Sequence, residues 1–434
     1  MRMIILILFS LLLGAPLTGQ PGQVGENKYA IYLNGNRLEI PYFSNFPIDQ
    51  PRADIKKVVV TIHGANRDAD DYFAHMEEAA SLRPDDSDST LIIAPQFLAE
   101  EDMEEFNLND QHLYWSSGGW RAGSVSGSSS SHPRPERISS FAVMDSMILQ
   151  LARIFPNLQY LIFTGHSAGG QFSNRYSGSS PIENILCANF GIRTRFVVAN
   201  PSSYVYLGDQ RRIGNSVDQF ETYNGNCTAF NDWSYGLEDL STYPSLAGKD
   251  SIIARMARRE IIYLLGQVDN NPNAPSLDKS CQSILQGDHR LERGSIYFNY
   301  LKQFLGSDQS PFQQIDTVPF AGHSDRVMYT SDIGLFYLFE SKPQSLCDAI
   351  TSTKGSSAIN KIQVYPVPAI AHLMISTSEK TGQLTLYAMD GSKVLETRMD
   401  SPLFRMEVGD VAAGMYILEF RSRESLSRQK VVIR

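Results

Sequence analysis

The run Leu161-Ile162-Phe163-Thr164-Gly165-His166-Ser167-Ala168-Gly169 decides the reading of this chain. Four strand-forming residues end in a Gly-x-Ser-x-Gly turn, and a helix is expected after it. A strand that breaks into a helix across such a turn puts the serine in a strained backbone conformation, with its hydroxyl exposed above the sheet. The two glycines let neighbouring backbone pass close by. The following helix turns its first N–H groups towards developing negative charge. Ser167 is therefore the candidate nucleophile. The competing reading is a glycine-rich turn that only packs a helix tightly.

A nucleophilic serine needs a base. Eight histidines compete: His63, His75, His112, His132, His166, His289, His323 and His372. His323, in Phe320-Ala321-Gly322-His323-Ser324, follows the last core strand and precedes a closing helix. From there it can reach Ser167. His166 is next to the nucleophile in sequence but turned differently, so it is expected to shape the substrate pocket. The base needs an acid to fix its tautomer. Asp269, in Gly266-Gln267-Val268-Asp269-Asn270, follows a strand and gives the chain order Ser, Asp, His. Asp209 is the reserve. The oxyanion needs donors. His63-Gly64-Ala65 follows an early strand, so the amides of Ala65 and Ala168 are expected to form the hole, with His63 supporting the loop.

Outward from this run, short apolar segments alternate with helical ones. Strands are expected at Val58–Ile62, Leu91–Ala94, Leu161–Thr164, Phe196–Ala199 and Ile261–Leu265, and a weaker one at Thr317–Phe320. Phe141, Met144, Ile148, Leu151 and Ile154 recur at helical spacing, so 137–155 reads as an amphipathic helix. Ile333 to Phe339 reads as the closing helix. Tyr29–Tyr42 reads as a hairpin turning at Asn34-Gly35-Asn36. Strands apolar on both faces, alternating with helices, imply a parallel sheet covered by helices. Two long stretches interrupt the rhythm, 101–135 and 204–250. Both follow strands on the side where such sheets bind ligands. The first carries Trp115 and Trp120, which are expected in the pocket.

The ends of the chain differ. Met3–Leu13 is apolar, follows Arg2 and leads into small residues, the pattern of a secretory signal peptide over residues 1–19. It is shorter than the roughly 20 residues of a membrane span, so no integral membrane segment is expected after cleavage. Residues 344–360 are rich in Ser, Thr and Gly and read as a linker after a catalytic domain at 20–343. From 361 the pattern is all strand, a small sandwich over 361–434. That segment has ten basic against eight acidic residues, so the net charge of −9 comes from the residues before it. An acidic chain with pI near 5.5 is a poor partner for nucleic acid. The four cysteines make two disulfides in an exported protein. Cys227 and Cys281 follow strand ends on the active-site side. Cys187 and the closing region near Cys347 fall at the opposite end. The expected bridges are therefore Cys227–Cys281 and Cys187–Cys347. No cysteines have CxxC spacing, and neither a metal nor an organic cofactor is expected.

With these residues in hand, residues 55–343 resemble a secreted α/β-hydrolase of the serine esterase type. Residues 361–434 resemble the C-terminal sorting domain of the type IX secretion system of Bacteroidetes. The matching features there are Val364-Tyr365-Pro366-Val367-Pro368, Asp390-Gly391, Gly414-Met415-Tyr416 and a basic end. Val367 stands where families usually show Asn. The resemblance implies an exported carboxylesterase that partners the type IX machinery, works at the cell surface or beyond, and often loses its sorting domain. A serine peptidase on the same fold, or a binding module on a dead scaffold, are the alternatives. The aromatic loops suit a carbohydrate-linked or aromatic ester, although such residues also simply pack loops.

Overall fold

The computed structural model describes residues 21–306, 312–344, 347 and most of 362–433. Within that last stretch 366–368, 370, 378, 380, 389–391, 402 and 423–425 fall outside the description. The expected signal peptide, nearly all of the linker, the Pro366-Val367-Pro368 run and the Asp390-Gly391 turn thus lie outside the described residues.

Eight strands form the main sheet: β1 (Asn27–Leu33), β2 (Asn36–Ser44), β3 (Lys57–Ile62), β4 (Thr90–Pro95), β5 (Tyr160–His166), β6 (Arg193–Ala199), β7 (Ile261–Gly266) and β8 (Gln314–Val318). Their order is β1-β2-β4-β3-β5-β6-β7-β8. β1 and β2 are antiparallel, and so are β2 and β4; every later pairing is parallel. This is the α/β-hydrolase arrangement. The hairpin expected at 29–42 is the antiparallel edge of this sheet. Leu33 pairs with Asn36, leaving Asn34 and Gly35 as a two-residue turn with φ of 47° and 80°. Positive φ at both positions matches the right-handed twist of the strands it joins.

The principal helices are α1 (Ala69–Ser81), α2 (Ser140–Ile154), α3 (Ala168–Ser179), α4 (Ile182–Phe190), α5 (Lys249–Arg258), α6 (Arg290–Leu305) and α7 (Asp325–Thr330). Strand residues alternate between two buried layers, as the two-residue period requires. Val58, Val60, Ile93, Phe163 and Tyr263 face Met144 of α2, Phe172 of α3 and Tyr297 of α6. Val59, Ile92, Ile162, Val197 and Leu264 face Tyr72 and Met76 of α1 and Met328 of α7. The central strands are therefore buried on both sides. The described residues hold no helix long and apolar enough to cross a membrane.

Three details differ from the sequence reading. The closing helix read at 333–339 is present as a short helix at Asp332–Leu335 that runs into a π turn at Phe336–Glu340, and a separate short helix, α7, precedes it. The cause is capping: Ser324 accepts from the amide of Val327 and Ser331 from that of Gly334, so each serine starts a new helix. The stretch 101–135 contains a helix at Glu100–Glu105 and a single 3₁₀ turn at Trp120–Ala122, and 204–250 contains the helix Thr242–Ala247. Trp233 Nε1 donates to Ala122 O at 2.8 Å and joins the two stretches.

Among the described residues seven strands build the C-terminal domain: β9 (Gln363–Tyr365), β10 (His372–Ser376), β11 (Gly382–Ala388), β12 (Lys393–Met399), β13 (Leu403–Glu407), β14 (Gly414–Arg421) and β15 (Leu426–Ile433). They make two antiparallel sheets, β9-β10-β13 and β12-β11-β14-β15. Leu373, Ile375, Leu384, Leu386, Leu418 and Phe420 fill the space between them. The bridges are Cys227–Cys281 and Cys187–Cys347, with Cα atoms 5.9 and 5.3 Å apart.

Candidate active site

Ser167 sits between β5 and α3 with φ of 59° and ψ of −117°. A left-handed serine is costly, and such strain persists only where the surroundings impose it. The surroundings here are backbone. A Cβ on Gly165 would lie 2.3 Å from Gly169 O, and one on Gly169 would lie 2.1 Å from Ile62 O. Neither position has room for a side chain, which accounts for both glycines of the motif.

His323 comes from the loop between β8 and α7, and Asp269 from the loop after β7. His323 Nε2 accepts from Ser167 Oγ at 2.9 Å, and His323 Nδ1 donates to Asp269 Oδ2 at 2.7 Å. The three side chains thus lie on one hydrogen-bonded line. The two loops hold each other: Val268 N donates to Ala321 O, and Phe320 N donates to Gln267 Oε1. Asp269 is 4 % exposed. Its other oxygen faces Arg290 Nη1 at 3.6 Å. Asp209, the reserve acid, is exposed on the surface, and Asp269 is the carboxylate that His323 binds.

Ala168 opens α3, so its amide is one of the helix N-terminal donors that have no acceptor within the helix. Ala65 is exposed in the loop after β3. Buried His63 fixes that loop. Its Nε2 accepts from Phe97 N at 2.9 Å, so its Nδ1 carries the proton and donates to Gly64 O at 2.9 Å. Burial pulls its pKa down to about 4, which keeps the ring neutral. His166 is buried too. Tyr72 Oη lies 3.1 Å from its Nδ1, and the ring centroid stands 4.4 Å from that of His323. Burial first, then the charges of His323 and Arg290, hold its pKa well below the ordinary histidine value. A neutral His166 therefore backs His323 without competing for its proton.

Trp115 and Trp120 do not line an open pocket. Both are wholly buried, with Trp120 stacked on Phe97 and 4.6 Å from the His63 ring. They form the wall behind the Ala65 loop. The expectation failed because an aromatic residue in a long loop gives the same sequence signal whether it faces ligand or core. Sequence reasoning also missed Arg290, Tyr72 and Asn200. Asn200, at φ 42°, accepts from Gly266 N at 2.8 Å and ties β6 to β7 beneath the site. Its place directly after the strand Phe196–Ala199 was the available signal. Arg290 and Tyr72 lie far from the motif in sequence and carry no local signal.

No curated relative matches the chain. Among solved structures it is similar to poly(aspartic acid) hydrolase-1 from Sphingomonas sp. KT-1, at 22% identity and a TM-score of 0.47, covering 71% of this chain and 96% of that one. It is also similar to LpqC, a poly(3-hydroxybutyrate) depolymerase from Bordetella parapertussis, at 19% identity and a TM-score of 0.48, covering 76% and 95%. Residues 363–434 match the family model of the secretion system C-terminal sorting domain. The chain thus joins an α/β-hydrolase fold to a type IX sorting domain of that family, which addresses it to the cell surface or the extracellular space.

Proposed function

We propose that the protein is an exported serine hydrolase that cleaves carboxylic esters through Ser167, His323 and Asp269. One observation carries the reading: the continuous line Ser167 Oγ to His323 Nε2 to Asp269, built on a strained serine at a helix N-terminus. Ser167 Oγ attacks the ester carbonyl carbon while its proton passes to His323 Nε2. The tetrahedral oxyanion is met by the amides of Ala168 and Ala65. On collapse the C–O bond breaks, and the leaving alkoxide takes the proton from His323 Nε2. Water then repeats the sequence on the acyl-enzyme and frees the acid. Asp269 holds the His323 tautomer and stabilises the imidazolium, and Arg290 keeps Asp269 in place.

A fluorophosphonate probe tests the reading, because it reacts only with an activated serine. Peptide mapping is expected to find the label on Ser167, and a panel of p-nitrophenyl, feruloyl and acetylated-sugar esters to show turnover. An intact protein that takes up no probe and hydrolyses no ester refutes the reading.

A further inference from the structure

Beside the triad lies a group of arginines that the chemistry above does not use. Arg175 is on α3, two turns beyond Ser167, or about 12 Å along the helix axis. Its guanidinium is buried and meets only neutral acceptors: Ser234 O at 3.2 Å, Arg121 O at 3.2 Å and Ser203 Oγ at 3.2 Å. Gln171, one turn from Ser167, donates to the same Ser203 Oγ at 2.6 Å. Arg293 donates its Nε to Gly287 O and its Nη1 to Ser202 O. Residues 202 and 203 continue from Asn200, at the carboxyl end of β6 beside the nucleophile. The arginines therefore gather where the sheet presents its ligand side.

Arg121 completes the group. It lies in the turn after Trp120, the residue packed on His63 and so on the Ala65 loop. Its guanidinium is partly buried, and among the described residues it has no hydrogen bond or ion pair. The carboxylate nearest the group is Asp278, which is spent on Tyr235 Oη at 2.7 Å and on the amide of Ser280 at 2.9 Å. No ion pair joins it to Arg121, Arg175 or Arg293 among the described residues. Arg293 also lies near Asp288, which is paired with Arg212 at 3.1 Å, so among the described residues the three cations share nearby carboxylates but form no ion pair with either. Burial first, and then the neighbouring Arg121 charge, pull the Arg175 pKa down to about 9. Uncompensated buried charge is costly, and a bound anion would offset it.

We infer that Arg121, backed by Arg175 and Arg293, receives a carboxylate carried by the substrate, so that the preferred substrates are anionic esters. This rests on the reading of Ser167 as nucleophile. Arg121 is a specificity residue and takes no part in proton transfer. A guanidinium–carboxylate contact gives about a tenfold preference or more in kcat/KM.

The test compares matched pairs on the full-length protein. Para-nitrophenyl hemisuccinate against para-nitrophenyl butyrate places the charge on the acyl side. Para-acetoxybenzoate against para-acetoxybenzamide places it on the alcohol side. The expected result is a preference of about tenfold or more for the anionic member of one pair in the wild type. Arg121→Gln is expected to bring that ratio to near one, Arg121→Lys to restore part of it, and Arg121→Glu to invert it. A wild-type ratio near one in both pairs overturns the inference and needs no variant to fold. A high ratio that survives Arg121→Gln also overturns it. If neutral esters are turned over through Ser167 without discrimination, only this inference fails; if no ester is turned over, the reading of the site fails with it.

Discussion

At the amino ends of the parallel strands Arg195 donates to Glu260 at 2.6 Å and to Tyr337 O at 2.6 Å, and Arg259 pairs with Glu183 at 2.6 Å. At the carboxyl ends the chain places Ser167, Asn200 and Phe320 at positive φ and, among the described residues, a buried Asp68 oxygen with no partner and an Arg121 guanidinium with no acceptor. The same sheet therefore carries only paired charge in this set at one end, and at the other both paired charge, as in Asp269 with His323 and Arg290, and strained or unpaired groups. Pairing stabilises the fold. What is left unpaired is available to a ligand, and the fold tolerates its cost because the other end is well satisfied.

The sharpest way to break this contrast is to remove the reacting atom. Ser167→Ala is expected to lower turnover by at least about a hundredfold, since triad members act as a unit, while the melting temperature changes little. Ester hydrolysis by the purified variant decides it, and turnover above about a hundredth of wild type excludes Ser167 as nucleophile.

The opposite end is expected to answer in stability instead of rate. Arg195→Met leaves Glu260 and three carbonyls without their donor, at a cost of about 3–5 kcal/mol. The melting temperature should fall by roughly 10 °C, with kcat unchanged well below it. Burial already raises the Glu260 pKa, and Arg195 opposes that rise. Without Arg195 the folded-state value climbs further above the unfolded one. The variant therefore loses more stability as pH rises, and melts at pH 5 and pH 8 should show the larger deficit at pH 8. Equal deficits, or a matching loss of kcat, would remove the distinction between the ends.

A smaller effect sharpens the comparison from the active-site end. Burial raises the Asp68 pKa from 3.8 to about 6. A raised carboxyl contributes stability below its unfolded pKa and loses it as pH rises through the folded value. Asp68→Asn is thus expected to match wild type near pH 4 and to be more stable by about 1–3 kcal/mol at pH 8. Denaturant melts at the two values check this, and a variant less stable at pH 8 contradicts it.

Much of this architecture could be read before any coordinates. Runs such as Val58–Val60 and Leu161–Phe163 are apolar at every position, which only doubly covered strands require, and Gly165 and Gly169 mark a turn whose sterics admit nothing larger. Local signals of that kind survive in one dimension. The edge role of the 29–42 hairpin did not, because antiparallel pairing of β2 with β4 joins residues some fifty positions apart. Arg290 beside Asp269, Tyr72 on His166 and the acceptor-free Arg121 are likewise products of tertiary contact. The separate helix α7 before the closing helix had a local signal in the caps Ser324 and Ser331, which an apolar period alone does not announce.

The Cys187–Cys347 bridge has a mechanical meaning. The sorting domain follows Cys347 in the chain. A pull on it reaches Cys347 first and passes through the covalent bond into α4 at Cys187. The segment between them, which carries Asp269 and His323, is bypassed by the load. A load applied from the C-terminal side would thus enter a helix of the scaffold and not run through the loops that hold Asp269 and His323.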